Sequence, residues 1–207
     1  MGGMPPFLRG LGLGLSLIVA IGPQNAFVLR HGLTRRFALL AALACALCDT
    51  LLITLGVLGV GGLLAGHAAL VLAGTVVGAA FLTWYGLRAL RGAWVGGAAL
   101  HVGGAGAGTP GAVVGTALGF SLLNPHALLD TVVLIGGASA GLSGSGRTAF
   151  LLGTVLASWA WFFTLALAGR ALAPVMARPG AWRVLDALIG LTLLGTAVGL
   201  LLGLRLP

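Results

Sequence analysis

Charged side chains are almost missing from this chain. It contains no lysine and no glutamate, and charged residues make up only 7% of its 207 positions. An ordinary soluble domain carries roughly 25%, so the composition excludes a soluble globular fold. The formal net charge of +8 comes from eleven arginines against three aspartates. Because those arginines stand singly or in pairs at the ends of apolar runs, they favour membrane anchoring over nucleic-acid binding.

Long apolar runs fill the rest of the sequence. Hydrophobic residues form 59% of the chain, and a run of about 20 of them can cross a hydrocarbon core of roughly 30 Å as a helix. Continuous rather than alternating apolar residues favour helices over strands. We therefore predict an all-α integral membrane protein with six transmembrane helices. The predicted spans are 7–29, 37–60, 68–91, 111–136, 149–173 and 183–204.

Cysteine is scarce as well. The two cysteines, Cys45 and Cys48, form a C-x-x-C in the middle of the second run, where helical spacing puts them on one face. A redox or metal role needs thiolates in a polar, reachable setting, so we interpret both as small buried residues of a helix. We predict no cofactor and no metal.

The two halves of the chain resemble each other. Segments two and three match segments five and six at one offset, which places Ala44 on Ala157 and Gly56 on Gly169. Segments one and four align at a shorter offset. Because each half holds an odd number of helices, we predict that the halves enter the membrane in opposite directions. Such inverted repeats are frequent in transporters.

These halves organise the single transmembrane domain that we predict over residues 1–207. The first three-helix repeat covers 7–91, and the second covers 111–204. Between them, residues 92–110 are rich in glycine and poor in large apolar side chains, which predicts a flexible linker.

The arginines indicate an orientation. With six spans, the loops divide between two sides, and the side with more arginine faces the cytoplasm. We therefore predict that both termini lie outside. Eight arginines fall on the cytoplasmic side, Arg30, Arg35, Arg36, Arg88, Arg91, Arg170, Arg178 and Arg183, and three on the other, Arg9, Arg147 and Arg205.

Several of the 37 glycines recur at every fourth residue. Small residues with this spacing let helix backbones approach closely in lipid, so we predict packing ridges in segments three, four and six. Their members are Gly74, Gly78, Gly115, Gly119, Gly195, Gly199 and Gly203.

Two polar breaks interrupt the first and fourth runs. A proline removes a helical hydrogen bond and suits the first turn of a new helix, so we predict Pro-broken helices 1 and 4. The N–H groups and positive dipole at the start of each second half-helix favour a carboxylate. The predicted substrate-binding residues of the two breaks are Gly22, Pro23, Gln24, Asn25, Asn124, Pro125 and His126.

Three carboxylates lie within apolar runs, where each is energetically expensive. Asp49 stands near the middle of the second run, and Asp130 lies one helical turn from His126. We predict that Asp49 and Asp130 bind the ammonium or guanidinium group of a substrate and, with His126, carry protons. The alternative is that each aspartate hydrogen-bonds a neighbouring helix or pairs with an arginine. For Asp186, beside Arg183, the two interpretations are balanced.

Six ordered blocks carry a family resemblance. They are GPQNAFVLRHGL at 22–33, CDTLLI at 48–53, FLTWYG at 81–86, NPHALLDTV at 124–132, ASWAWF at 157–162 and WRVLD at 182–186. In these blocks, and in order from about residue 10 to 204, the chain resembles the LysE/ArgO family of basic amino-acid exporters. The NPHALLDTV block is highly specific.

The resemblance implies a function. It implies export of L-lysine, L-arginine or close analogues such as canavanine from the bacterial cytoplasm across the inner membrane, driven by the proton motive force. It also implies that Asp49 and Asp130, in the family's DT and LDT motifs, are essential. We expect a multi-pass antiporter whose partners are a basic amino acid, protons and the lipid bilayer. Nucleic acid is not expected as a partner, and a homo-oligomer is compatible with the sequence.

Two other transport functions stay open. An exporter of neutral amino acids such as homoserine or threonine would share this architecture but would need one membrane carboxylate, whereas this chain has Asp49 and Asp130. A divalent-cation transporter could use His126 and the two cysteines, but the oxygen-rich clusters that such ions prefer are missing from the sequence. An intramembrane enzyme is not expected, because the sequence contains no nucleophile with a base and no HExxH motif.

Overall fold

The computed structural model of the chain describes residues 4–19, 22–59, 68–95, 109–123, 129–172 and 179–203. Every regular element in these ranges is a helix. In chain order they are α1 (Pro6–Ile18), α2 (Pro23–Thr34), α3 (Ala38–Val57), α4 (Ala68–Val95), α5 (Pro110–Leu122), the π-helix π1 (Leu129–Ile135), α6 (Gly136–Ser139), α7 (Gly144–Leu172) and α8 (Pro179–Gly203). The prediction of an all-α protein is confirmed for the described residues.

Three of these helices are long and apolar enough to cross a membrane among the residues that the structure describes. They are Ala38–Val57, Gly144–Leu172 and the Arg183–Gly203 part of α8. A fourth crossing results if α1 and α2, which are bent by 79° relative to each other, form one broken span. The chain is thus a helical membrane protein with three or four candidate spans, and the count of six stays a prediction.

The first predicted break is present. Helix α1 ends at Ile18, and α2 begins with Pro23 as its first residue. Gly22 precedes it with extended backbone, and its carbonyl oxygen accepts the first helical hydrogen bond from the N–H of Ala26 at 3.1 Å. Proline needs no hydrogen bond to its nitrogen at this position, so the break follows directly from the Gly22-Pro23 dipeptide.

The second predicted break falls mostly outside the described residues. Helix α5 ends at Leu122, and the described chain resumes at Leu129 in π1. Asn124, Pro125 and His126 lie between these points, so their placement stays a prediction.

A three-residue connection joins α2 to α3. Arg35, directly after α2, has a φ angle of 55°, and Phe37, directly before α3, has a φ angle of 56°. A residue in this left-handed region ends a helix and turns the chain away from its axis. Two such residues in a connection of three leave little slack between the two helices.

Helix α7 lies against α1, α2 and α3, and the α2 contact depends on two glycines. A Cβ atom on Gly32 would lie 2.7 Å from the carbonyl oxygen of Ala166, and one on Gly169 would lie 2.9 Å from the Cα of Gly32. Real Cβ atoms do not approach other atoms this closely, so glycine at both positions allows the two backbones to touch.

The last helix does not use its predicted glycine ridge to pack against another helix in the described part of the chain, so this prediction is wrong. Gly195, Gly199 and Gly203 have no described atom within 4 Å of an added Cβ. Helix α8 instead packs on α4 through Gly190, where an added Cβ would lie 3.0 Å from the carbonyl oxygen of Gly86. The spacing of glycines in the sequence does not determine which face of a helix packs against a neighbouring helix.

Candidate functional site

Helix α2 carries polar side chains into the interior. It has only 12 residues, yet most of them are buried, including Asn25, Arg30 and His31. Buried amides and charges are costly unless they have hydrogen-bond partners. The hydrogen-bond partners of these buried side chains therefore indicate the role of α2.

Asp49 is the centre of one polar cluster. Its side chain on α3 is only 7% exposed. The Nε2 group of Gln24 donates to Oδ1 at 3.2 Å, and the hydroxyl of Ser158 donates to Oδ2 at 3.0 Å. Gln24 Nε2 also donates to the hydroxyl oxygen of Ser121 at 2.8 Å. Side chains from α2, α3 and α7 thus meet at one carboxylate, and α5 joins them through Gln24. We call these four residues the Asp49 cluster: Gln24, Asp49, Ser121 and Ser158.

The partners of Asp49 are neutral. Among the residues that the structure describes, the ion pair within 4.0 Å joins Arg30 to Asp186 and leaves Asp49 out. Amide and hydroxyl donors stabilise a buried carboxylate without cancelling its charge. The Asp49 cluster therefore presents a net negative charge inside the protein, which suits a cation or a proton.

Asn25 holds the break together. Its Nδ2 donates to the carbonyl oxygen of Ile18, at the end of α1, at 2.7 Å. Its Oδ1 accepts from the indole N–H of Trp161 on α7 at 3.1 Å. The last carbonyl groups of a helix have no partner within that helix, so Asn25 satisfies one of them and ties both half-helices to α7. Its predicted contact with a substrate stays a prediction.

The start of α2 has the features predicted for carboxylate binding. Gly22 provides no side-chain cap, and the first N–H groups of a helix have no partner within it. Together with the helix dipole, they favour an anion at this point. Pro23 is buried at the same end, and Gln24, one residue on, reaches Asp49. The start of α2 and the Asp49 cluster are therefore neighbours, and the binding of substrate by Gly22, Pro23 and Gln24 stays a prediction.

Asp130 lies in π1, and its side chain falls outside the described residues. Helix π1 packs against α3, the helix of Asp49. At Gly56 the two backbones approach so closely that an added Cβ would lie 2.9 Å from the carbonyl oxygen of Val132. Gly56 is seven residues, or about two turns, beyond Asp49. The segments that carry the two predicted aspartates are therefore neighbours.

Sequence reasoning missed three members of this region. Ser121 accepts from Gln24, Ser158 donates to Asp49, and Trp161 donates to Asn25. The ASWAWF block contains two of them, so a signal was present. It could not be assigned, because serine in an apolar helix also bonds readily to its own backbone, as Ser121 does to Ala117 at 2.8 Å.

Arg30 and Asp186 form a second buried centre. Arg30 is 6% exposed and Asp186 is fully buried, and the Nη1 group of Arg30 donates to Oδ1 of Asp186. The placement of Arg30 in a cytoplasmic loop is therefore wrong, because its side chain is turned inward to a carboxylate on α8. Arg183, the partner suggested by proximity in sequence, is exposed. For Asp186, the structure supports the arginine-paired interpretation.

Cys45 and Cys48 are buried free thiols on α3, as predicted. The described part of the chain holds no group of three or more His, Cys, Asp or Glu side chains arranged to bind a metal ion.

Comparison with known proteins gives consistent results. The family described as LysE type translocator matches residues 15–204. A protein of Aeromonas salmonicida, provisionally named amino-acid transporter YggA, is 44% identical over 95% of both chains. The arginine exporter protein ArgO of Pectobacterium carotovorum is 39% identical over 94% of this chain and 95% of its own, and that of Yersinia enterocolitica is 41% identical over 89% and 90%. No solved structure matches.

Proposed function

Because the chain belongs to the LysE type translocator family, and is therefore a transporter rather than an enzyme, we propose that it exports basic amino acids across the bacterial inner membrane. The substrates are L-arginine and L-lysine, with canavanine as a close analogue. The observation that carries this proposal is Asp49, a buried carboxylate whose described partners are neutral donors. Relatives named as arginine exporters cover nearly the whole chain.

The substrate binds across the first break. Its carboxylate lies at the N–H groups that begin α2, next to Gly22 and Pro23. Its cationic group binds Asp49 in place of the Gln24 amide, while the Ser158 hydroxyl keeps its bond to Oδ2. The second break contributes Asn124, Pro125, His126 and Asp130 from the opposite half.

Export is coupled to protons. Moving one positive charge outward against 100 mV costs roughly 2.3 kcal/mol, which corresponds to about a fiftyfold gradient, so the substrate needs a driving force. Asp49 exchanges the cation for a proton. Its neighbours suit both states, since the Ser158 hydroxyl can donate to a carboxylate or accept from a carboxylic acid. Asp130 and His126 serve the same exchange.

The transport domain consists of two inverted three-helix repeats, giving six spans. The packing supports this arrangement, because exchanging the halves reproduces several of its helix contacts. Helix α3 packs on α7 and α4 packs on α8, while the contact of α1 with α7 is mirrored by that of α5 with α3. Gly169 on α7 lies against α2, and its aligned counterpart Gly56 on α3 lies against π1.

The substrate class is tested by counterflow in proteoliposomes that contain the purified protein. We expect uptake of labelled arginine into vesicles loaded with arginine or lysine, and none of threonine or Mn²⁺. Transport of threonine without arginine would contradict the proposal in favour of a neutral amino-acid exporter. Transport of Mn²⁺ would contradict it in favour of a cation transporter.

The role of Asp49 is tested by Asp49→Asn, which keeps the shape and removes the charge. Hydrogen bonds to charged groups contribute roughly 1.5–3 kcal/mol, so we expect arginine counterflow to fall about 10- to 100-fold. We expect the same loss for Asp130→Asn. Thr196→Val is the control, because the Thr196 hydroxyl bonds within its own helix to Thr192. Normal counterflow in both aspartate variants would refute the carboxylate mechanism.

Proton coupling has a separate readout. With arginine inside the vesicles, external acidification should accelerate its exit from vesicles with the wild-type chain. If the exit rate does not change with the pH gradient, antiport with protons is contradicted, but the proposed substrate class is not.

A further inference from the structure

One turn of α7 contacts both the carboxylate at Asp49 and the break between α1 and α2. The hydroxyl of Ser158 donates to Oδ2 of Asp49 at 3.0 Å. Three residues later, the indole N–H of Trp161 donates to Oδ1 of Asn25, in the first turn of α2, at 3.1 Å. Residues with this spacing are neighbours on a helix surface, so one side of α7 is bonded to both α2 and α3.

Trp161 fixes the orientation of the Asn25 amide. Oδ1 of Asn25 faces the indole N–H, which can only donate, and Nδ2 faces the carbonyl oxygen of Ile18 at 2.7 Å, which can only accept. Rotating the amide by half a turn would set donor against donor at one contact and acceptor against acceptor at the other. The indole therefore determines which side of the amide faces the end of α1.

The break brings two opposite helix ends together. Helix α1 ends at Ile18 with carbonyl groups and the negative end of its dipole, whereas α2 begins at Pro23 with N–H groups and the positive end. The end of α1 therefore opposes an anion at the start of α2. The Nδ2 group of Asn25 covers one of these carbonyl oxygens and reduces that opposition.

We propose that Trp161 is a positioning residue for the carboxylate of the substrate, and that it acts through Asn25. This inference rests on the proposed function, which places that carboxylate at the start of α2. The indole N–H holds the amide of Asn25 on the carbonyl oxygen of Ile18. Without the indole N–H, the amide turns away, and the exposed carbonyl of Ile18 weakens binding of the carboxylate.

Agmatine provides the probe, because it is arginine without the carboxylate. The measured quantity is the concentration of unlabelled arginine or agmatine that halves the counterflow of trace labelled arginine in proteoliposomes. For the wild-type chain we expect a ratio of the agmatine to the arginine concentration well above one. Trp161→Phe removes the indole N–H and keeps an aromatic ring. It should raise the arginine concentration roughly 3- to 10-fold, leave the agmatine concentration unchanged, and so lower the ratio.

Trp159→Phe is the matched control on the same helix. The indole N–H of Trp159 donates to the hydroxyl oxygen of Thr50 at 2.9 Å rather than to the break. Thr50 follows Asp49, so an effect of this substitution falls on the cationic group that arginine and agmatine share. The ratio should therefore stay at the wild-type value. A merely structural role of Trp161 would lower the amount of active protein, which does not change either concentration.

Asn25→Ala tests the same contacts from the other side. It removes the amide, so it should lower the ratio, and adding Trp161→Phe should lower it no further. An unchanged ratio in Trp161→Phe or in Asn25→Ala would overturn the inference, as would an equal fall in Trp159→Phe or a further fall in the double variant. If Trp161→Phe does not reach the membrane, Asn25→Ala decides. A wild-type chain without arginine counterflow would instead refute the proposed function, and a wild-type ratio of one would refute its carboxylate site.

Discussion

At the scale of the residue, the protein treats its two described buried carboxylates differently. Asp186 is paired with an arginine, whereas Asp49 is surrounded by an amide and a hydroxyl. Both kinds of contact lower the cost of burial, but only an ion pair removes the net charge. A cationic substrate therefore gains more from Asp49 than from Asp186.

The hydroxyl of Ser158 is expected to support Asp49 directly. Ser158→Ala leaves Oδ2 of a buried carboxylate without that donor, and an unsatisfied buried group costs about 1–3 kcal/mol. We expect arginine counterflow to fall roughly 5- to 100-fold. The control is Ser139→Ala, an equally buried serine whose hydroxyl bonds to Gly136 one turn back in its own segment. Equal rates in the two variants would contradict the role of Ser158.

At the scale of the element, the local breaks were more predictable than the contacts between helices. Gly22-Pro23 ends and restarts a helix for reasons contained in the two residues themselves, and the structure places the break there. The burial of Asp49 followed from its position in an apolar run. Its partner Ser158 lies 109 positions away, and Ser121, which binds Gln24, lies 72 positions away. Their contacts depend on the rotation of α7 and α5.

The contact between α2 and α7 should tolerate no side chain at its glycines. Gly32→Ala and Gly169→Ala each place a methyl group against backbone, and such overpacking typically costs about 1–3 kcal/mol. We expect a lower thermal midpoint in detergent for both. Gly195→Ala is the matched control, because no described atom lies within 4 Å of its added Cβ. A loss of the same size in Gly195→Ala would show that the helices do not pack as described.

At the scale of the whole molecule, the orientation inferred from the arginines stays a prediction after the burial of Arg30 is taken into account. Arg30 leaves the loop count, which falls from eight to seven on the cytoplasmic side against three on the other. The predicted cytoplasmic side therefore still carries more arginines than the other side. Arg30 and Asp186 also join the ends of two segments that the six-span arrangement places on the same side.

The predicted orientation places the C-terminus on the periplasmic side of the membrane. Alkaline phosphatase fused after Pro207 should be active, because this enzyme needs the oxidising periplasm to form its disulfides. A fusion in the short Arg35–Phe37 connection should be inactive, since that loop belongs to the cytoplasmic side. The reverse pattern would exclude six spans with both termini outside.

The three-residue connection between α2 and α3 has a consequence for how the transporter cycles. Because only Arg35–Phe37 separate the two helices and Gln24 donates to Asp49, we expect these two side chains to stay together when access switches from one face of the membrane to the other. The intrinsic affinity for the substrate is then similar on both faces. The protein would behave as a reversible carrier, and the ion gradients of the cell, rather than any asymmetry of the site, would make it an exporter.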